Sequence, residues 1–369
     1  MPESPLHQLA DHGQSVWIDF LSRHFVRDGD LEALSREGVD GVTSNPTIFQ
    51  GAIAEGDAYD EQLRDVLQIE SEPKDVFLAL AVDDVRSACD ILRPKWENAG
   101  ENARDGWVSL EVDPHLAHDT AATIDEATRL HGVVDRPNLF IKIPATAEGL
   151  PAIEETVAAG IPVNVTLIFS LRRHREVARA YLAGLRRLSD AGGNLAQVAS
   201  VASFFVSRVD TEADKRLDAA GAHDELKGTL AIANAKLAYQ NYKEIFAGPD
   251  WETLKAKGAS AQRCLWASTS TKNPDFRDVI YVEELIGRET VNTMPRETVE
   301  AFQDHGRVRD SLEEDVEGAR RTLDAFTHAG IDYDDVVETL EREGVEKFAK
   351  SFQQLFADIA AKRDAMVAA

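Results

Sequence analysis

The chain has 369 residues, with 40 Lys and Arg against 65 Asp and Glu, and a formal charge of −25 at pH 7. Its 43% hydrophobic and 28% charged residues are the balance of a packed globular protein and not of a disordered acidic segment. The acidity excludes nucleic-acid and anionic-membrane partners, which are bound by dense Lys/Arg surfaces, and no apolar run reaches the roughly 18 residues of a membrane-spanning helix. Cys89 and Cys264 are too few for a disulfide framework and fit a reducing compartment. The opening segment, MPESPLHQLADHG, lacks the basic and apolar stretches of a secretion signal, so a cytoplasmic location is expected.

In chain order, eight short β-branched or apolar runs stand out: 15–20, 41–45, 107–112, 139–145, 161–169, 198–206, 264–269 and 290–295. Helical patterns separate them, such as 170–188, with Leu171, Val177, Tyr181, Leu182 and Leu185 on one stripe. Two intervals, 46–106 and 207–263, are long enough for at least two helices each. Strand–helix alternation repeated eight times predicts a (β/α)8 TIM barrel, with a doubly wound sheet as the next choice. One domain over 1–369 is expected, its residues from about 300 onward forming a helical tail. In that tail Val345, Phe348, Phe352, Leu355, Phe356 and Ile359 trace an apolar face that should pack on the barrel.

Side chains alternate across a strand, which splits each run into two faces. Val16, Ile18 and Phe20 oppose Trp17 and Asp19; Val42 opposes Thr43 and Asn45; Val108, Leu110 and Val112 oppose Trp107, Ser109 and Glu111. Leu139, Ile141 and Ile143 oppose Phe140 and Lys142, and Val163, Val165, Leu167 and Phe169 oppose Asn164, Thr166 and Ile168. The uniformly apolar faces should meet the helices. The inward faces then carry Asp19, Asn45, Glu111, Lys142, Asn164 and Thr166, late in their strands. Barrel interiors are normally filled with branched apolar side chains, and unpaired polar groups there cost several kcal/mol. One such residue is readily a satisfied core hydrogen bond; six spread over five strands point to a site. The assignment takes the strands to be free of bulges.

Lysine is seldom buried, and Lys142 sits among Leu139, Phe140, Ile141 and Ile143. At its ordinary pKa of about 10.4 a lysine is almost wholly protonated at pH 7; apolar burial favours the neutral amine, which can attack a carbonyl carbon. The competing reading is a buried ion pair with Glu111 or Asp19. A Schiff-base reaction also needs proton carriers, for which Asp19 and Glu111 are candidates, with Thr166 able to hold a water. Asn45, Asn164 and Ser203 are neutral groups suited to a polyol. Ser203/Arg208 and Ser268/Lys272 follow the sixth and seventh strands, where barrels often hold phosphate, although a surface ion pair is the commoner use of a lone Arg208. No GxGxxG, GxxxxGK[ST] or GxSxG segment is present. The cluster Asp113, His115, His118 and Asp119 reads as a loop and not a zinc site, so neither metal nor cofactor is expected.

GVTSNPTIF (41–49) and LFIKIPATAEGLPA (139–152) resemble the two signature segments of the transaldolases, and WIDFLSR, SLEVDP, NVTLIFS and ASFFVSRVD follow in matching order. The resemblance runs from about Ser15 to Pro295. It implies a (β/α)8 enzyme of the pentose phosphate pathway that works without a cofactor. Such an enzyme moves a dihydroxyacetone unit from sedoheptulose 7-phosphate to glyceraldehyde 3-phosphate. It implies Lys142 as the Schiff-base lysine, Asp19 as the acid/base at the donor C4 hydroxyl, and Glu111 with Thr166 around the catalytic water. Asn45, Asn164 and Ser203 would contact donor hydroxyls, beside Thr43 and Phe205, and Arg208 would bind phosphate. After the seventh strand the better-known members read Ala-Ser-aromatic-Arg-Asn, whereas this chain reads Ala267-Ser268-Thr269-Ser270-Thr271-Lys272-Asn273. Lys272 is therefore expected to supply the second phosphate charge, as a point charge where Arg would grip with two bonds. Related fructose 6-phosphate aldolases are shorter and tend to carry Gln and Tyr in place of Glu111 and Phe205; that lyase is the nearer alternative, and a silent binding barrel the more distant one. A monomer or homodimer acting on sugar phosphates is expected.

Overall fold

The computed structural model of the protein describes residues 4–54, 56–98, 105–221 and 223–368. Eight strands form a closed parallel barrel in sequence order. They are β1 (Gln14–Ile18), β2 (Val39–Val42), β3 (Trp107–Glu111), β4 (Leu139–Pro144), β5 (Val163–Ile168), β6 (Ser200–Phe205), β7 (Arg263–Ala267) and β8 (Thr290–Met294). Each of the eight expected runs overlaps one strand, with β1, β2 and β7 starting before their runs, and the (β/α)8 expectation stands over the doubly wound sheet. Several strands stop earlier than their runs: β1 at Ile18 and β2 at Val42, so Asp19, Thr43 and Asn45 lie just beyond the C-terminal strand ends. The first long interval holds the helices Pro46–Ala54, Asp60–Val66 and Pro73–Asn98; the second holds Ser207–Ala220, Leu230–Ile245 and Pro249–Lys255.

The outward faces are apolar because they meet the helix shell. Val16, Ile18, Val42, Val108, Leu110, Ile141, Ile143, Val163 and Val165 are all buried, and each such side chain contributes roughly 1.5–3 kcal/mol on leaving water. The helix Leu171–Asp190 shows how one shell member is specified. Ser170 caps it by accepting from the backbone N–H of Arg173, and Val177, Tyr181 and Leu185 form its buried stripe. In one respect the face assignment needs correction: β5 is not regular to its end. The β5–β6 register shifts between Val165 and Ile168, and Leu167 has φ +59°. Strict alternation therefore holds through Thr166 and fails after it, and Leu167 and Phe169 lie within reach of the tail at Gly344.

At the N-terminal end the barrel is plugged by aromatic rings. Trp107 stacks on Phe140 with centroids 4.2 Å apart, and Trp17 lies 6.0 Å from Phe140. Gly41 of β2 makes room for this plug, since a Cβ there would stand 2.6 Å from the Trp17 indole. A cavity of about 20 Å³ is all that remains between Trp107, Phe140 and Arg263. Arg263 donates to Ser15 Oγ at 2.8 Å and pairs with Asp105 at 3.2 Å.

Beyond β8 come the helices Arg296–His305, Val316–His328 and Tyr333–Ala368, the last called the tail helix below. Its predicted apolar face is buried at Val345, Phe348, Phe352, Leu355 and Ile359, and Phe352 packs edge-on against Phe77. Polar ties extend along it: Arg216 with Asp335, Arg173 with Glu341, Ser351 with Thr47, Gln353 with His115, and Asp358 with Gln50. The tail thus crosses the C-terminal mouth of the barrel. Among the described residues no helix is long and apolar enough to cross a membrane.

Candidate active site

Parallel register places the central residues. Glu111 of β3 is level with Lys142 of β4, which is level with Asn164 of β5, so three inward side chains meet in one layer. Lys142 is 4% exposed; its Nζ lies 3.1 Å from Glu111 Oε2 and donates to the Ser44 carbonyl at 3.1 Å. Burial pushes the Glu111 carboxyl up, against the opposing pull of Lys142. The Thr166 hydroxyl is buried and makes no hydrogen bond among the described residues, an unusual state for such a group.

Asp19, on the other side of the barrel, is also pushed up by burial, with Lys142, Thr43 and Arg208 favouring its ionised form. Thr43 donates to Asp19 Oδ1 at 2.7 Å and lies 2.7 Å from the Thr293 hydroxyl. A hydroxyl has one proton to give. With that of Thr43 on Asp19, Thr293 must donate to Thr43, and the chain of hydroxyls orients the carboxylate. Asn164 donates to Ser109 Oγ at 3.0 Å and accepts from Ser203 at 2.7 Å.

These groups form the floor of a cavity of about 800 Å³, which is lined by Asp19, Thr43, Asn45, Lys142, Thr166, Ser203, Phe205, Arg208, Ser268 and Lys272. Ten of the twelve residues singled out from sequence therefore share one cavity. Glu111 and Asn164 sit behind its surface; Asn164, fully buried and bonded to Ser109 and Ser203, is placed to position Ser203. Arg208 lies with its guanidinium 5.0 Å from the Phe205 ring centroid. Lys272 is exposed and donates to Ser270 Oγ at 2.7 Å. Ser268, with φ +56°, shares a 3.0 Å hydrogen bond with Ser207.

The tail helix supplies a wall that sequence reading did not place at the site. Leu340, Gly344, Lys347, Phe348 and Ser351 all line the cavity, and the Phe348 ring centroid is 5.7 Å from Lys142 Nζ. The signal was present: these positions share one helical stripe, and it mixes a glycine, a lysine and a serine into an otherwise apolar face. The Asp113/His115/His118 segment lies elsewhere, with Asp113 paired to Lys74 and His118 to Glu148. Among the described residues no three His, Cys, Asp or Glu side chains are grouped to hold a metal ion.

A buried lysine beside a carboxylate, with hydroxyls on the floor and Arg208, Lys272 and Lys347 on the walls, suits carbonyl chemistry on a phosphorylated polyol. Comparison with known proteins agrees: residues 16–359 match the model of the family described as transaldolase/fructose-6-phosphate aldolase. The chain belongs to that family. Among its relatives, the transaldolase of Acidothermus cellulolyticus is 53% identical over 358 residues, 96% of each chain. That of Thermobifida fusca is 51% identical over 97% of this chain and 98% of its own. The transaldolase of Mycobacterium tuberculosis is 49% identical over 97% of both. The family match extends into the tail helix as far as Ile359.

Proposed function

We propose that this protein is a transaldolase, transferring dihydroxyacetone from sedoheptulose 7-phosphate to glyceraldehyde 3-phosphate and giving erythrose 4-phosphate and fructose 6-phosphate. The observation that carries the reading is Lys142, buried 3.1 Å from Glu111 at the floor of a large cavity that Arg208, Lys272 and Lys347 also line.

The neutral Lys142 amine attacks the ketose C2 carbonyl, and the carbinolamine loses water to give an iminium ion. Proton movement falls to Glu111 through a water held with Thr166, whose unpartnered hydroxyl supports that role. Asp19 then takes the proton of the C4 hydroxyl; the C3–C4 bond breaks, its electron pair passes into an enamine on Lys142, and the aldose leaves. Asp19 suits this step because burial weakens it as an acid while Lys142 and Thr43 hold it ready to ionise. The acceptor aldehyde enters, the steps reverse, and water hydrolyses the iminium. Asn45 and Ser203 face the sugar hydroxyls, and Phe348 helps exclude bulk water while the enamine waits. The same reading places the enzyme in the cytoplasm.

Reduction with borohydride during incubation with fructose 6-phosphate should attach a reduced three-carbon fragment to the Lys142 peptide. Lys142→Met should lose both the label and at least about 10⁴-fold in transfer rate. An unlabelled Lys142 peptide, or a Met variant that still transfers, overturns the assignment. Free dihydroxyacetone released at the transfer rate without acceptor would instead mark the enzyme as an aldolase.

A further inference from the structure

On a chain with 25 more acids than bases, most cations find carboxylates. Around the cavity Arg216 pairs with Glu212 and Asp335, and Arg173 with Glu176 and Glu341. Four cations that line the cavity do otherwise. Among the described residues Arg208, Lys272, Lys347 and Lys350 make no ion pair, although Glu212, Glu343 and Glu346 line the same cavity. They come from three elements: Arg208 from the helix after β6, Lys272 from the loop after β7, and Lys347 and Lys350 from the tail helix, where Lys347 feels the charges of both Arg208 and Lys272.

We propose that Lys347 is a ligand of the substrate phosphate, completing with Arg208 and Lys272 a three-cation site that exists only when the tail helix lies across the barrel mouth. This rests on the sugar-phosphate reading above and adds to it a residue outside the barrel. Holding three cations near one another with no carboxylate paired to any of them is unfavourable, and the Lys347 ammonium registers it. Arg208 first, then partial desolvation, then Lys272, push its pKa down. A phosphate dianion removes that repulsion, so binding gains from every cation held in place beforehand. Placement is enforced on both sides. The Arg208 guanidinium lies 5.0 Å from the Phe205 ring centroid and 5.9 Å from that of Phe348, next to Lys347 in the chain. Gly344, one turn earlier, lets the tail helix approach closely, since a Cβ there would stand 3.0 Å from Leu167 Cδ2. Lys272 alone is a weak second partner for Arg208, being exposed and engaged with Ser270.

The test is binding of inorganic phosphate to the full chain by titration calorimetry, beside steady-state kinetics with fructose 6-phosphate. Lys347→Met keeps the stem and removes the charge. It should weaken phosphate binding about tenfold and raise KM by a similar factor, with kcat within about threefold. Lys347→Arg should restore both. Unchanged phosphate affinity in the Met variant overturns the proposal, whatever becomes of transfer activity. So does a loss of kcat with lowered melting temperature that Arg fails to rescue, which would mark Lys347 as a packing residue. If the wild type binds phosphate through Lys347 but transfers no dihydroxyacetone, the anion site stands and the transaldolase reading falls.

Discussion

The two ends of this barrel interior are built from the same alternation of residues and put to opposite uses. At the N-terminal end the inward positions hold Trp17, Trp107 and Phe140, packed until about 20 Å³ is left. At the C-terminal end, four residues further along β3, two further along β4 and just past β1, the inward positions become Glu111, Lys142 and Asp19 below a cavity of about 800 Å³. Aromatic burial at one end supplies stability without chemistry. Charge burial at the other, in the proposed mechanism, supplies chemistry at a cost in stability, since a buried ion pair seldom repays its own desolvation. Rigid packing below is what lets the upper groups be held in unfavourable surroundings.

The largest break in that contrast comes from Glu111→Gln. It keeps shape and removes the charge 3.1 Å from Lys142. Turnover should fall about 10²–10⁴-fold, as for loss of an acid/base group, with thermal stability unchanged or higher because a buried charge is gone. Parallel measurement of kcat and melting temperature decides it. A variant that turns over normally but unfolds earlier would make Lys142 and Glu111 a structural pair, and the upper layer would then resemble the lower.

Gly41→Ala works from the other end. The added methyl must displace the Trp17 indole, which it would approach to 2.6 Å, so overpacking should cost about 1–3 kcal/mol. Chemical denaturation should show that loss, while the folded fraction keeps its kcat and KM. A kinetic defect as large as that of Glu111→Gln would mean that the plug sets the geometry of the site and is no mere foundation.

Much of this was legible in the chain because strand periodicity is local. Alternation of Val163, Val165 against Asn164, Thr166 announces a face without knowledge of the fold, and parallel register then brings Glu111, Lys142 and Asn164 level. Two features resisted. The irregularity at Leu167 depends on a positive φ that nothing in NVTLIFS demands locally. Phe348 reads as one more member of an apolar helix stripe, and that it covers Lys142 follows from a contact across some 200 residues of sequence. Asn164 shows a third limit: polarity and parity put it inside the barrel, but its bonds to Ser109 and Ser203 join partners 55 and 39 residues away in the chain.

The smallest expected effect gives the sharpest comparison, because the two ends each hold a carboxyl that burial pushes up. At the N-terminal end Asp40, paired with Lys95 at 2.5 Å, is raised to about 6, by burial first and the Asp105 carboxylate next. Its unfolded value is near 4. Between these values the folded chain binds more protons than the unfolded one, so the stability this group contributes is full below about pH 4 and is lost as pH rises to about 6. Asp40→Asn should therefore compare better with wild type at pH 7 than at pH 4, by about 1–2 kcal/mol once screening by Lys95 and solvent is allowed for. Its kcat profile should match wild type throughout. Asp19 is raised by burial as well, but its proton lies on the proposed reaction path, so its titration should appear as the acid limb of kcat, displaced upward from an ordinary aspartate. If Asp40→Asn moved that limb, or left the pH dependence of unfolding untouched, the division between a structural end and a catalytic end would fail at the point where both ends use the same physics.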